Sequence, residues 1–116
     1  MAISEMKPRF KVWIEKNDEV VFGDGRLKLL TEIEKQGSIS AAAKELSMSY
    51  RAAWGKIKAS EERLGKKLLI IQKGGSSGGG ATLTPFAKKL IGNYQSFKDK
   101  IQETTKSTFQ KTFKQS

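Results

Sequence analysis

Apolar residues change their spacing several times along this chain, and each change marks an element. Phe10, Val12 and Ile14 alternate with Lys11, Trp13 and Glu15, the period of two that a half-buried strand produces. Residues 1–8 precede it as a lead-in. Lys16-Asn17-Asp18-Glu19 reads as a turn, and Val20-Val21-Phe22 is expected to pair back as a hairpin. From Arg26 the apolar positions Leu27, Leu29, Leu30 and Ile33 form a helical stripe that stops at Gly37, a residue favoured just past a helix end because it takes the left-handed conformation cheaply. Ser38-Ile39-Ser40 opens a second, short helix that continues through Ala41 to Leu46. Ser40 is its expected cap, because a hydroxyl accepts from the free amides of a first turn. Ser47-Met48-Ser49 interrupts, and Ser49 is expected to cap a third helix from Tyr50 to Leu64. On that helix Tyr50, Ala53, Trp54, Ile57 and Leu64 point to a core. Arg51, Ala52, Gly55, Lys56 and Ala59 form the other face, and Gly65 ends it.

Beyond Gly65 the pattern changes again. Leu68-Leu69-Ile70-Ile71 is an apolar run expected to be a buried strand, residues 74–80 are glycine- and serine-rich, and Ala81-Thr82-Leu83-Thr84 is a second strand. Together they predict a hairpin with a glycine-rich tip. Pro85 sits where a helix tolerates proline, at its first position. Phe86, Leu90, Tyr94, Phe97 and Ile101 then recur at spacings of 4, 4, 3 and 4, and the seam extends through Thr105 and Phe109 to Phe113. That is the spacing of a helix-pair interface. A helix of roughly thirty residues reaches about 45 Å, further than so small a domain can cover, so the stripe is expected to pair with another chain. The expected fold class is mainly α with a small β component: a winged helix-turn-helix domain over residues 1–84 with an N-terminal β-hairpin, and a long C-terminal dimerisation helix over residues 85–116.

Charge sharpens this picture. The 116 residues hold 22 Lys plus Arg against 12 Asp plus Glu, a formal net charge of +10. Residues 1–36 are balanced, whereas 37–73 and 74–116 each carry an excess of five positive charges. Such a field attracts polyanions. The chain has no Cys and no His, which removes disulfides, thiolate nucleophiles, imidazole bases and Cys/His zinc sites together. Ser and Thr are plentiful but have no His to activate them. The pairs Glu61-Glu62 and Glu32/Glu34 are explained by an exposed charged helix. No enzyme, metal site or cofactor is expected. No apolar run approaches the ~20 residues that span a bilayer, and Met1 to Lys7 lacks a signal-peptide core, so a cytoplasmic protein without membrane contact is expected.

The second and third helices have the arrangement in which one helix braces another that enters the DNA major groove. Candidate contacts are Ser49, Tyr50 and Arg51 at the start of the third helix, Ala52 and Gly55 where small size admits the duplex, and Lys56 and Lys58 for phosphates. Ser38 and Ser40 on the bracing helix join them. On the hairpin, Lys73, Ser76, Ser77, Thr82 and Thr84 are the candidate donors. Phe86, Leu90, Tyr94, Phe97 and Ile101 are the candidate dimerisation residues. A nucleotide-cradling loop is the rival for the glycine run, but it needs a Lys-Ser or Lys-Thr ending before a helix, which this loop lacks. Two further classes stay open: a winged-helix module that binds protein, and a stand-alone oxyanion sensor.

Three stretches carry a family resemblance. Gly37-Ser38-Ile39-Ser40-Ala41-Ala42-Ala43-Lys44, Ser49-Tyr50-Arg51-Ala52-Ala53-Trp54 and Gly78-Gly79-Gly80-Ala81-Thr82-Leu83-Thr84 resemble the DNA-binding domain of the molybdate-responsive, ModE-type regulators. More loosely, they are similar to the LysR-type winged helix. The resemblance runs over about residues 10–100. It implies a homodimer on double-stranded DNA with two half-sites, the third helix in the major groove, the wing on the flanking groove, the last helix pairing the subunits, and target genes for molybdate or oxyanion transport. Trp54 looks like core in this comparison. Two places depart from the family type: the Ser76-Ser77 pair stands where a basic residue is common, and Gly55 where an acidic one occurs. Family members also carry C-terminal oxyanion-binding domains, for which 116 residues leave no space, so a separate oxyanion-sensing partner is the expected source of the signal.

Overall fold

A computed structural model describes residues 3–73 and 79–114. A single 3₁₀ turn at Ile3–Glu5 is followed by β1 (Ile14–Lys16), β2 (Glu19–Phe22), α1 (Asp24–Gln36), α2 (Ile39–Glu45), α3 (Tyr50–Leu64), β3 (Leu69–Gln72), β4 (Gly80–Leu83) and α4 (Pro85–Thr112). β1 pairs with β2 and β3 with β4, each pair antiparallel and forming its own two-stranded sheet. This is a winged helix-turn-helix with an added N-terminal hairpin and a long last helix, as the residue pattern implies.

The first hairpin turns through Asn17 and Asp18, both with positive φ (53° and 65°). Those are the angles of the tight turn whose twist suits a two-residue hairpin, and Asn and Asp tolerate them. The expected strand over Phe10–Ile14 is shorter than its alternation suggests, because regular pairing begins only at Ile14. Ile14 opposes Phe22 whereas Glu15 opposes Val20, which leaves Val21 as an extra residue in β2. A bulge of this kind turns two successive side chains the same way, and Val21 and Phe22 are both buried.

The core is built from one face of each helix: Leu29, Leu30 and Ile33 of α1, Ile39, Ala42 and Ala43 of α2, and Ala53 and Ile57 of α3. Leu68, Leu69, Ala81 and Leu83 of the second hairpin, with Ala87 and Tyr94 of α4, close it. The cap of α2 is Ser38, not Ser40: the Ser38 hydroxyl accepts from Ala41 N–H at 3.1 Å. Starting the helix at Ile39 puts Ile39, Ala42 and Ala43 on one face, and this burial decides between two serines of equal capping ability. Gly37 ends α1 at φ 84°, and its carbonyl accepts from Ala81 N–H at 2.9 Å. The helix stop is therefore also the anchor of the second hairpin.

α2 ends in a Schellman motif, with Met48 N–H donating to Ala43 O and Ser47 N–H to Lys44 O. The left-handed position in it is held by Ser47 at φ 56°, where glycine is usual. Leu46 and Met48 then pack against the core, which fixes the angle at which α3 leaves the turn.

α4 has two halves. In the first, Phe86, Leu90 and Ile91 pack on the core, and Tyr94 is 1% exposed with its ring edge-on to Phe22, centroids 5.1 Å apart. Tyr94 was expected on the pairing seam; instead its side chain is spent inside its own domain, because the stripe at this point faces the N-terminal hairpin. Its hydroxyl lies 2.8 Å from Val12 O and 3.0 Å from Asp24 Oδ1. Lys98 Nζ donates to the same Asp24 oxygen at 2.7 Å. Along the second half, Phe97 and Phe113 are 47% and 56% exposed, while Lys98, Gln102, Thr105 and Lys106 share a cleft with the lead-in between Ser4 and Lys11. At 1.5 Å per residue the 28 residues of the whole of α4 span about 42 Å, and the longest extent of the molecule is 68 Å.

Candidate nucleic-acid interface

The N-terminal half of α3 forms an open surface. Ser49 is extended (φ −72°, ψ 154°) and its hydroxyl accepts from Ala52 N–H at 3.0 Å, which leaves the hydroxyl hydrogen free to donate outward. Tyr50, Arg51, Ala52, Gly55 and Lys56 are exposed, and a Cβ built on Gly55 meets no atom within 4 Å. No acidic residue occurs between Glu45 and Glu61. The free amides of the first helical turn add a partial positive charge at this end. Polar donors, an aromatic ring, the exposed cations of Arg51 and Lys56 and small residues thus share one face, which is the chemistry of a surface that takes an anionic, shape-defined polymer.

The second hairpin stands beside that face. Its register pairs Leu69 with Leu83, Ile70 with Thr82, Ile71 with Ala81 and Gln72 with Gly80. The apolar run was expected to be buried throughout, yet Ile70 and Ile71 are each 48% exposed. A two-stranded ribbon has only one face against the core, and Leu68, Leu69, Ala81 and Leu83 fill it. Between the ribbon and α3 lies a cleft lined by Ser38 and Ser40 of the α2 start, Tyr50 and Trp54 of α3, and Ile71 and Gly79. Lys73 and Thr82 are exposed on the ribbon. Ser76 and Ser77 lie outside the described residues.

Two candidate contacts have other work. The Thr84 hydroxyl accepts from Ala87 N–H at 3.0 Å and donates to Lys67 O at 2.8 Å, so it caps α4 and has no hydrogen left for a ligand. Lys58 Nζ sits 4.6 Å from the centroid of the Trp54 ring and 3.4 Å from Glu61 Oε1, occupied on both sides rather than extended to solvent. Trp54 itself is half-buried at the edge of the core, its ring 9° from parallel with Tyr50.

Glu61 is the residue the sequence reading missed. It is buried rather than part of an exposed acidic pair, and its Oε2 accepts from Leu68 N–H at 2.7 Å and Leu69 N–H at 3.3 Å. Its Oε1 makes no hydrogen bond but has the ammoniums of Lys58 and Lys67 at 3.4 and 3.9 Å. The signal was available: Glu61 lies four residues after Ile57, on the same helical face, whereas Glu62 is rotated to solvent. At the far end of α3, Arg63 donates to Val20 O at 2.6 Å and pairs with Glu19, which ties the helix to the first hairpin. Arg26 donates through Nε to the buried Ser60 hydroxyl. Among the described residues no group of acidic side chains could hold a metal ion, and no helix is long and apolar enough to cross a membrane.

Comparison with known proteins agrees with this geometry. The profile of the bacterial regulatory helix-turn-helix proteins of the LysR family matches residues 25–88, a span that runs from α1 to the first turn of α4. The molybdenum-pterin-binding protein MopB of Rhodobacter capsulatus is 46% identical over 72 residues, 62% of this chain and 27% of that protein. The transcriptional regulator ModE of Haemophilus influenzae is 37% identical over 84 residues, 72% of this chain and 31% of its own length. The DNA-binding transcriptional dual regulator ModE of Escherichia coli K12 is 38% identical over 80 residues, 68% and 30%. The chain thus spans under a third of the length of these curated relatives. Among solved structures, ArgP from Mycobacterium tuberculosis shares the fold at a TM-score of 0.50 and 20% identity, over 70% of this chain and 29% of that one. With a profile match over more than half of its residues, this chain belongs to the LysR family of bacterial regulatory helix-turn-helix proteins, and within that family it is similar to the ModE regulators.

Proposed function

We propose that this protein is a transcriptional regulator that binds duplex DNA sequence-specifically as a homodimer and carries out no reaction of its own. The observation that carries the proposal is the exposed, acid-free start of α3, with Ser49, Tyr50, Arg51 and Lys56 open to solvent. In this reading α3 enters the major groove, Arg51 and Tyr50 meet base edges, and Lys56 and Lys73 meet phosphates. The wing follows the flanking backbone. The names of the relatives direct the choice of target genes to molybdate or related oxyanion transport.

The dimer is supported by the far half of α4. Phe97, Ile101, Thr105, Phe109 and Phe113 recur every four residues and line one open apolar groove. A second copy of the same helix offers the matching surface, and pairing through it would set two reading helices on one duplex with two half-sites. DNA binding is tested by fluorescence anisotropy with labelled duplex at rising salt. The expected result is an affinity that falls by orders of magnitude between about 50 and 200 mM salt. An absence of binding to any duplex at low salt would overturn the proposal.

A further inference from the structure

Four side chains follow one another along a single edge of α3: Tyr50, Trp54, Lys58 and Glu61. Spacings of four, four and three stack them one above the next on a helix. The Tyr50 and Trp54 rings are 9° from parallel with centroids 6.5 Å apart. The Lys58 ammonium lies 4.6 Å from the Trp54 centroid, inside cation–π range, and 3.4 Å from Glu61 Oε1. Glu61 Oε2 takes the amides of Leu68 and Leu69, where the chain enters β3. The run begins at the exposed ring that opens α3 and ends at the root of the wing. Trp54 is also, with Ile71, the residue shared by the two clefts that separate α3 from the wing.

From this run we infer that Trp54 is a positioning residue for duplex recognition, fixing the Tyr50 ring at the reading end of α3 and, through Lys58 and Glu61, holding that end in register with the wing. The inference rests on the DNA-binding proposal above. An exposed tyrosine without a neighbour gives up rotamer freedom when it meets a base, whereas one already stacked gives up less. The Lys58 charge has a matching role: held between ring and carboxylate, it pins the indole instead of reaching a phosphate. A tryptophan that only filled space would be replaceable by any apolar residue of similar bulk, and this one would not.

The test starts with selection of a preferred sequence from randomised duplex by the unaltered chain. The ratio of Kd for a scrambled duplex to Kd for the preferred one is then measured for Trp54→Leu, Trp54→Phe, Lys58→Met and Lys58→Arg. Trp54→Leu and Lys58→Met are expected to lower the ratio about tenfold through weaker binding of the preferred duplex, with the scrambled duplex changed by no more than about twofold. Trp54→Phe and Lys58→Arg are expected to restore most of it, since each keeps a ring or a ring-bound cation. The salt slope of Lys58→Met is expected to stay unchanged, whereas loss of a phosphate contact would lower it by about 0.9. If the leucine variant fails to fold, the two Lys58 variants carry the test, because that side chain is partly exposed. Unchanged ratios, equal weakening on both duplexes, no rescue by phenylalanine and arginine, or an unaltered chain that binds every duplex equally would each overturn the inference. An unaltered chain that binds no duplex overturns the DNA-binding proposal instead.

Discussion

The Tyr94 hydroxyl and the Asp24 carboxylate, seventy positions apart in sequence, meet at 3.0 Å where α4 crosses the start of α1. Burial is the main force on Tyr94 and the hydrogen bond to Asp24 the next; together they push its pKa up to about 12 from 10.0. Asp24 is pulled the other way, below 3.8, first by its hydrogen bond with Lys98. The contact fastens the half of α4 that belongs to the core and leaves the other half to project.

Stability should therefore fall in alkali in a defined window. The folded state holds the Tyr94 proton more tightly than the unfolded chain does, so its contribution is complete below pH 10 and is lost as pH rises toward about 12. Urea midpoints measured from pH 8 to 12 are expected to be flat and then to decline above pH 10. Tyr94→Phe should lower stability near neutrality by about 1 kcal/mol, the worth of a lost hydrogen bond, and reduce the alkaline slope. An unchanged slope in the variant would show that other groups produce it.

Ser47 occupies the left-handed position of the α2 stop at φ 56°. Glycine takes that conformation at lower cost. Ser47→Gly is expected to raise the unfolding free energy by about 0.5–1 kcal/mol, read as a higher urea midpoint at constant m. A lower midpoint would mean that the serine hydroxyl contributes more than its backbone strain costs.

Glu61 holds the two amides that lead into the wing. Glu61→Ala leaves Leu68 and Leu69 N–H without a partner in a buried place, and each such loss costs about 1–3 kcal/mol. Glu61→Gln keeps one acceptor and is expected to lose less. Calorimetry should rank them native, Gln, Ala; an alanine variant as stable as the native chain would contradict the placement of Glu61 as the wing's internal anchor.

These residues also mark how far the amino-acid pattern reaches. Helices α1 to α4, both hairpins and the stops at Gly37 and Gly65 follow from period, capping residues and glycine position, because those signals are local. Partner identity is not local. The α4 stripe from Phe86 to Phe113 reads as one seam, although its first half covers the core and only its second half is left open. Thr84 and Ser38 have the same hydroxyl whether they cap a helix or meet a ligand, and the buried face decides which. Ile70 and Ile71 look like core until the ribbon proves to be two-stranded, with one inward face only. The four-residue spacing of Trp54 and Lys58 already makes them neighbours on α3, but that their edge of the helix faces the wing emerges only from the packed fold.

Self-association should depend on that open half alone. Ile101→Glu puts a charge in the middle of the apolar groove between Phe97 and Phe109. Sedimentation equilibrium is expected to give a dimer for the native chain and a monomer for the variant, with unchanged helix content because the site is outside the core. A native chain that sediments as a monomer, or a variant that stays dimeric, would remove α4 as the pairing surface.

The account depends most on the open start of α3 being the surface that meets DNA. Arg51→Glu addresses this directly, since the side chain is exposed and a carboxylate in a helix's first turn favours the helix. Thermal unfolding is expected to be unchanged, while affinity for duplex at low salt falls at least about tenfold, as like charges oppose the phosphates. A folded Arg51→Glu variant that binds duplex as tightly as the native chain would contradict it.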